Sequence, residues 1–157
     1  MDICIVLGSK SDLPISDKCT VVLEHFNIDH EVRVASAHRA PKYLEVVVED
    51  AIADGCKIFI GMAGMAAALP GVVASMTTLP VIGVPVGGKV PLDSLLSIVQ
   101  MPPGMPVATV GVDRGDNAAV LAVQMLSISN QELAGRFAIW RKEKTEKVIA
   151  DDESLRE

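Results

Sequence analysis

The chain has 157 residues, of which 50% are hydrophobic and only 3% aromatic, and its formal net charge is −6. This length fits one domain, and the aliphatic content is ample for a core sandwiched between layers of secondary structure. An acidic chain lacks the basic surface that nonspecific binding to nucleic acid or to an anionic membrane needs. Neither partner is therefore expected, and any anionic ligand must be held by a local site.

The N-terminal residues and the cysteines favour a cytoplasmic protein. Residues 1–8 (MDICIVLG) favour a first strand over a signal peptide, because no basic region precedes a long apolar stretch. Glycine and proline interrupt the hydrophobic residues 58–86, so no apolar run reaches the ~18 residues of a membrane helix. Cys4, Cys19 and Cys56 are odd in number and set among apolar residues, which favours reduced, buried thiols over disulfides or a zinc site.

Hydrophobic spacing predicts strands and helices in alternation along the first 126 residues. The predicted strands are 3–7, 31–35, 57–61, 81–84 and 107–110, and the predicted helices are 12–26, 43–53, 66–76, 92–100 and 117–126. Such alternation implies a parallel sheet with helices on both faces, joined by right-handed crossovers. We therefore predict an α/β fold, a three-layer αβα sandwich, within a single domain of residues 1–157.

A last helix, at about 130–150, has no strand after it. Leu133, Phe137, Trp140 and Val148 recur at helical spacing, and the basic residues come late in the segment, as the helix dipole favours. We expect this amphipathic extension at a subunit interface, with packing on its own sheet as the alternative.

The residues that suggest chemistry follow the predicted strands. Residues 8–12 (GSKSD) come after the first strand, 36–41 (SAHRAP) after the second, 62–64 (MAG) after the third and 85–88 (PVGG) after the fourth. Open parallel sheets bind their ligands beyond the carboxyl ends of the strands, near a switch in strand order. The sequence therefore predicts a ligand site at this edge of the sheet.

His38 beside Arg39 indicates acid/base chemistry on an anionic substrate. An unperturbed imidazole titrates near pH ~6.5 and can both give and take a proton near neutrality. A guanidinium stays charged and binds phosphate or carboxylate through two hydrogen bonds. A histidine that is merely solvated, or bonded to a backbone carbonyl, is the alternative.

Two loops rich in small residues could approach a ligand closely. Residues 8–12 suit either a phosphate cradle at a helix N-terminus or a plain helix cap by Ser11 or Asp12, and Asp12 could instead accept hydrogen bonds from ribose hydroxyls. Residues 61–71 (GMAGMAAALPG) permit close approach of a flat ligand, although tight helix packing explains them as well.

Several motifs, taken in order, resemble the PurE family of purine biosynthesis. They are GSKSD at 8–12, SAHRAP at 36–41, AAALPG at 66–71, PVIGVPV at 80–86, DSLLSIVQMP at 93–102 and NAA at 117–119. Members of this family are N5-carboxyaminoimidazole ribonucleotide mutases and the related aminoimidazole ribonucleotide carboxylases. A series of long motifs in one order is far more specific than any single motif.

The resemblance implies a flavodoxin-like fold, a cytoplasmic homo-octamer with active sites near subunit boundaries, and no metal, biotin or ATP. It implies catalysis by His38 and substrate binding by Ser9, Asp12 and Arg39. Further residues are candidates for a pocket that holds substrate and carbon dioxide: Ser11, Ser36, Ala63, Gly64, Ala66, Ala67, Ala68 and Leu69.

Ala68 departs from the family's pattern, because the mutase branch commonly has His before Leu-Pro-Gly. Direct carboxylation of aminoimidazole ribonucleotide therefore stays open beside the mutase reaction. Arg39 and the Leu-Pro-Gly at 69–71 place the chain nearer the mutase branch, since animal carboxylases typically have Lys after the catalytic His. Two further functions stay open, namely a carboxylase of another heteroaromatic nucleotide and a nucleotide-binding sensor without chemistry.

Overall fold

The computed structural model describes residues 1–156, which divide into two compact units. The first unit is Met1–Val120, and the second starts at Leu121. The first unit carries all five strands and every residue assigned to a site from the sequence. No helix within residues 1–156 is long and apolar enough to cross a membrane.

The first unit alternates strands and helices as predicted. Its strands are β1 Ile3–Leu7, β2 His30–Val34, β3 Ile58–Ala63, β4 Val81–Pro85 and β5 Ala108–Thr109. Its helices are α1 Leu13–His25, α2 Pro41–Ala53, α3 Leu69–Met76 and α4 Pro91–Val99, with a 3₁₀ turn at Lys10–Asp12. Helix α5, Gly115–Ser127, begins in this unit and ends in the second, where α6, Gln131–Ser154, follows.

The sheet is entirely parallel, in the order β2-β1-β3-β4-β5. Strand β2 lies on one side of β1, whereas β3, β4 and β5 follow one another on the other side. Right-handed crossovers therefore place α1 on one face of the sheet and α2, α3 and α4 on the opposite face. This is the flavodoxin-like α/β arrangement, and its switch in strand order lies between β1 and β3.

The core on the α2 side of the sheet is mainly aliphatic. Its buried members include Val6 of β1, Leu44 and Val48 of α2, and Val73 of α3. Two glycines of the sheet let the helices on this face pack closer to the strands. Gly61 of β3 and Gly83 of β4 are partners in register, and a Cβ on Gly61 would lie 3.1 Å from Pro70 of α3. Gly61 and Gly83, which do not line the cavity described below, thus serve helix packing rather than a ligand.

Helix α3 starts later than predicted. The spacing of alanines predicts a helix from residue 66, but α3 begins at Leu69, with Pro70 in its first turn. Met65 has φ of 56°, a left-handed conformation that a helix excludes. Proline, which lacks an N–H, is also favoured in the first turn and disfavoured further inside a helix. Residues 64–68 are therefore a loop, which leaves their backbone free to line a cavity.

In the second unit, the predicted C-terminal helix is present and longer than expected. Asn130 caps α6, because its side-chain oxygen accepts a hydrogen bond of 3.0 Å from the N–H of Leu133. Phe137 and Trp140 stack with ring centroids 5.9 Å apart, and the ammonium of Lys144 lies 5.0 Å from the Trp140 ring. The placement of this helix at a subunit interface stays a prediction.

Candidate active site

A cavity of about 620 Å³ opens at the carboxyl ends of the first four strands. Its walls are the loops that follow β1, β2, β3 and β4, the edge that the sequence predicts. Every residue assigned to a site from the sequence lines it, namely Ser9, Ser11, Asp12, Ser36, His38, Arg39, Ala63, Gly64, Ala66, Ala67, Ala68 and Leu69. The structure thus brings these side chains together, while the role of each stays a prediction.

The loop after β1 closes on itself through Ser9 and Asp12. The Ser9 hydroxyl oxygen accepts a hydrogen bond of 3.3 Å from the N–H of Ser11, and Asp12 Oδ2 accepts one of 3.1 Å from the N–H of Ser9. This reciprocal capping box satisfies two N–H groups at the start of the 3₁₀ turn. A helix cap therefore exists here, and it also fixes both side chains at the wall of the cavity.

Asp12 is a buried residue that lines the cavity, only 6% exposed. Burial raises its pKa, and hydrogen bonds from Ser11 and Ser9 and the charge of Arg39 lower it without cancelling that rise. Burial disfavours the charged form, whereas donors and a nearby cation favour it. Each carboxylate oxygen accepts one hydrogen bond from the loop, so lone pairs remain for a ligand hydroxyl.

Arg39 ties the loop after β2 to the loop after β1. Its Nη2 donates to the carbonyl oxygen of Gly8 at 2.7 Å, and its Nε donates to Ser36 Oγ at 3.2 Å. A guanidinium has five N–H donors in a planar fork. Two of them hold the side chain in place, so three remain to bind an anion in the cavity.

His38 lies at the top of a tight turn between β2 and α2. The backbone N–H of Ala40 donates to the carbonyl oxygen of Ser36 at 2.9 Å, and the N–H of Arg39 donates to Ser36 Oγ at 3.3 Å. The His38 side chain is exposed at the cavity, and its ring makes no hydrogen bond to any other residue in 1–156. Both ring nitrogens are therefore open to a ligand.

The wall after β3 is built from small side chains. Ala63, Gly64 and the alanines at 66–68 line the cavity and leave no side-chain hydrogen-bonding group on that side. Met65, in the same loop, is 79% exposed. The side chains of this wall are therefore apolar, whereas the first two loops carry the polar groups.

Some residues of the cavity were not assigned to it from the sequence. They are Gly8, Ala37, Met65, Val86, Gly87 and Gly88. The position of residues 85–88 after a strand was the available signal, but a loop of glycines and a valine carries no recognisable chemistry of its own. Met65 lies within residues 61–71, which the sequence offered as a loop that could approach a ligand, but the residue itself was not assigned to the site.

No cluster of three or more His, Cys, Asp or Glu side chains in residues 1–156 is arranged to hold a metal ion. The three cysteines are free and buried, as the sequence predicts. Burial raises the pKa of Cys4 and of Cys19 to about 12, and neither residue lines the cavity. The polar side chains that line the cavity carry imidazole, guanidinium, hydroxyl and carboxyl groups.

Comparison with known proteins identifies the family. A family model described as AIR carboxylase matches residues 2–147. The chain belongs to this family. It is 53% identical over 156 residues to the N5-carboxyaminoimidazole ribonucleotide mutase of Methanocaldococcus jannaschii, a match that covers 99% of this chain and 98% of that relative. The expectation of a PurE-family enzyme nearer the mutase branch is thereby confirmed.

Two further matches show the range of the family. The chain is 45% identical to a region of the chloroplastic phosphoribosylaminoimidazole carboxylase of Vigna aconitifolia, covering 96% of this chain and 27% of that relative. The crystal structure of Treponema denticola PurE matches with a TM-score of 0.89 and 28% identity, over 99% of this chain and 98% of that one. The predicted fold class is confirmed by this match.

Proposed function

We propose that this chain is the purine-biosynthetic enzyme that converts N5-carboxyaminoimidazole ribonucleotide to 4-carboxy-5-aminoimidazole ribonucleotide. One observation carries the proposal. A single cavity holds an exposed imidazole, a guanidinium with three uncommitted N–H donors and a wall of small apolar side chains. The name of the relative that is 53% identical adds support, since it is a mutase of this substrate.

The loops after β1 and β2 would bind the ribose phosphate of the substrate. Arg39 offers a fork of N–H donors, the geometry that grips a phosphate at two points. Ser9 retains its hydroxyl hydrogen as a donor, because its oxygen serves as acceptor in the cap. Asp12 would accept hydrogen bonds from ribose hydroxyls. These groups orient the substrate rather than take part in bond making.

His38 would act as general acid and then as general base. As the N-carboxylate leaves as carbon dioxide, the imidazolium of His38 donates a proton to the amine nitrogen. C4 of the electron-rich aminoimidazole then attacks the same carbon dioxide, and neutral His38 removes the C4 proton to restore aromaticity. One proton is given and one is taken, so the histidine ends as it began.

Carbon dioxide must stay in the cavity between the two steps. The alanines at 66–68 and Ala63 offer it an apolar surface without hydrogen-bond donors or acceptors in their side chains. Exclusion of water from such a surface protects a reactive intermediate. This wall would therefore retain the molecule that the reaction moves.

A second candidate is direct carboxylation of aminoimidazole ribonucleotide by free carbon dioxide. Ala68 favours it, because this side chain, which lines the cavity, departs from the usual His of the mutase branch. The two reactions are separated by turnover without ATP or added metal, with either substrate and varied bicarbonate. Use of the N-carboxylated substrate alone supports the mutase, and efficient use of the other at modest bicarbonate supports the carboxylase. Failure on both substrates refutes the proposed function.

Replacement of His38 by asparagine tests the catalytic role. We expect turnover to fall by ~10²–10⁴-fold, the usual contribution of a positioned acid/base group, with ligand binding nearly intact. His25→Asn is the matched control, because His25 is also exposed but lies on α1, away from the cavity. If His38→Asn retains more than about a hundredth of the activity, the assignment fails. Binding without turnover by the wild type would instead favour a nucleotide sensor.

We also propose that the chain assembles as a homo-oligomer, with an octamer as the expected state. Leu92, Leu96 and Val99 follow one another at i, i+4 and i+7 along α4 and are 62%, 52% and 50% exposed. Such a stripe on one helix face is typical of a surface that another protein covers. Sedimentation velocity of the wild type measures the assembly, and a monomer at micromolar concentration would contradict it.

A further inference from the structure

The loop after β5 contacts the cavity wall through Asp113, a residue that does not itself line the cavity. Asp113 Oδ1 accepts a hydrogen bond of 2.7 Å from the N–H of Gly87, and the N–H of Asp113 donates to the carbonyl oxygen of Pro85 at 2.9 Å. One residue thereby holds both ends of the short segment that leaves β4. Bonds to a carboxylate are among the stronger hydrogen bonds in proteins.

The backbone of Asp113 adopts an unusual conformation to make these contacts. Its φ is 58°, in the left-handed region that costs most residues free energy, although aspartate tolerates it better than most. Lys18 of α1 donates to the carbonyl oxygen of Asp113 at 3.3 Å, which adds a third tether. Neighbouring Arg114 bonds to Asp116 at 2.7 Å instead, so the carboxylate of Asp113 is left for Gly87.

The absence of a side chain at Gly87 leaves room for the Asp113 carboxylate. A Cβ built on Gly87 would lie 2.6 Å from Asp113 Oδ2, closer than real Cβ atoms approach a neighbour. The next contact along the wall is also close. The N–H of Val86 donates to the carbonyl oxygen of Ala63 at 2.8 Å, and a Cβ on Gly64 would lie 3.3 Å from the carbonyl oxygen of Val86. Asp113 therefore holds a segment, Val86–Gly88, that also packs against Ala63 and Gly64 at the end of β3.

We propose that Asp113 is a positioning residue that fixes the Val86–Gly88 wall of the cavity in the shape that accepts the substrate. Two of the three residues of this wall are glycines, which have more conformational freedom than other residues. Ordering them only when the substrate binds would weaken affinity. The Asp113 carboxylate orders it before the substrate arrives. The inference rests on the proposed function for its substrate, but the contact itself does not.

Three variants separate the carboxylate from the backbone. Asp113→Gly removes the acceptor yet keeps positive φ without cost and keeps the N–H to Pro85. Asp113→Asn retains an acceptor oxygen for Gly87 and also tolerates positive φ. Asp116→Ala is the matched control, because it removes a carboxylate three residues further along, in the first turn of α5, from a residue that does not line the cavity. Each purified protein is measured for KM, kcat, melting temperature and hydrogen exchange at residues 86–88.

We expect Asp113→Gly to raise KM by roughly 10- to 150-fold, the equivalent of one hydrogen bond to a charged group, while kcat changes little because His38 is untouched. Asp113→Asn should restore KM to within about threefold, and Asp116→Ala should leave it unchanged. The amide of Gly87 should exchange faster only in Asp113→Gly. A merely structural role would lower the melting temperature without this split between KM and kcat.

Two results would overturn the inference: an Asp113→Gly protein whose KM and Gly87 exchange match the wild type, or an Asp113→Asn protein as impaired as Asp113→Gly. A wild-type protein that turns over neither imidazole ribonucleotide refutes the proposed function instead. In that case the exchange at Gly87 still decides whether Asp113 holds the wall.

Discussion

Replacing Arg39 by lysine distinguishes a ligand-binding guanidinium from a structural tie between two loops. Arg39 is exposed, and its two side-chain hydrogen bonds go to Gly8 and Ser36. Exposed polar contacts of this kind contribute about 0–1 kcal/mol to the free energy of unfolding. For a chain of this length that corresponds to a fall in melting temperature of about 2–4 °C at most.

The expected effect on ligand binding is much larger. If the three remaining N–H donors bind the phosphate of the substrate, lysine keeps the charge but loses the planar fork. Loss of a hydrogen bond to a charged group costs about 1.5–3 kcal/mol, which is roughly 10- to 150-fold in KM or in the dissociation constant. Steady-state kinetics and calorimetric titration with the ribonucleotide measure this change.

Arg33→Lys is the matched control for Arg39→Lys. Arg33 also makes two side-chain contacts, at 3.3 Å to the Tyr43 hydroxyl and 3.4 Å to Glu31, but it lies on β2 away from the cavity. We expect a similarly small fall in melting temperature and no change in KM. The reasoning is refuted if Arg39→Lys lowers the melting temperature by much more than the control and leaves KM intact. Arg39 would then only join the loops after β1 and β2.

Three further predictions concern stability and thiol chemistry. Burial raises the pKa of Asp12, so the folded state loses stability as the pH rises through that pKa. The melting temperature of Asp12→Asn should therefore increase relative to that of the wild type as the pH rises above about 4, while its binding of substrate weakens. Cys4 and Cys19, each with a pKa of about 12, should resist Ellman's reagent at about pH 8 until the chain unfolds, and reaction in the native state would contradict their burial. A Cβ on Gly83 would overlap Ile98 and lie 2.8 Å from Val107, so Gly83→Ala should lower the free energy of unfolding, measured by chemical denaturation, by about 1–3 kcal/mol. Gly135→Ala, where a Cβ on α6 would meet no other atom within 4 Å, should raise it by about 0.5–1 kcal/mol.

The order of strands and helices was predictable because burial on both faces leaves a clear pattern. All residues of β1, β3 and β4 are buried, which makes each strand a continuous apolar run in the sequence. Residues 66–68 misled the prediction because alanine is the best helix former. The left-handed backbone of Met65 and the position of Pro70 make the helix begin at Leu69. Helix propensity gives no indication of the left-handed conformation of Met65.

The site was predictable to the extent that it depends on strand ends. The carboxyl ends of parallel strands share one edge, so loops separated by tens of residues in sequence were expected to meet there. The contacts that fix the loops were not predictable. Arg39 bonds to a backbone carbonyl 31 residues away, and Asp113 bonds to a backbone N–H 26 residues away. Backbone groups are the same in every residue, so the sequence cannot show which of them a side chain will find.

The two candidate reactions share their second half, in which C4 attacks carbon dioxide and loses a proton. Under the proposed function, His38 and Arg39 would serve that half in both reactions, so the chemistry of these two side chains does not by itself separate a mutase from a direct carboxylase. The reactions differ in whether the carboxylate arrives bound to nitrogen or as free carbon dioxide. That difference falls on the apolar wall, where Ala68 lies beside Ala67 and faces the cavity. Under the proposed function, the choice between the two reactions therefore depends on the shape of that wall and not on the acid/base group.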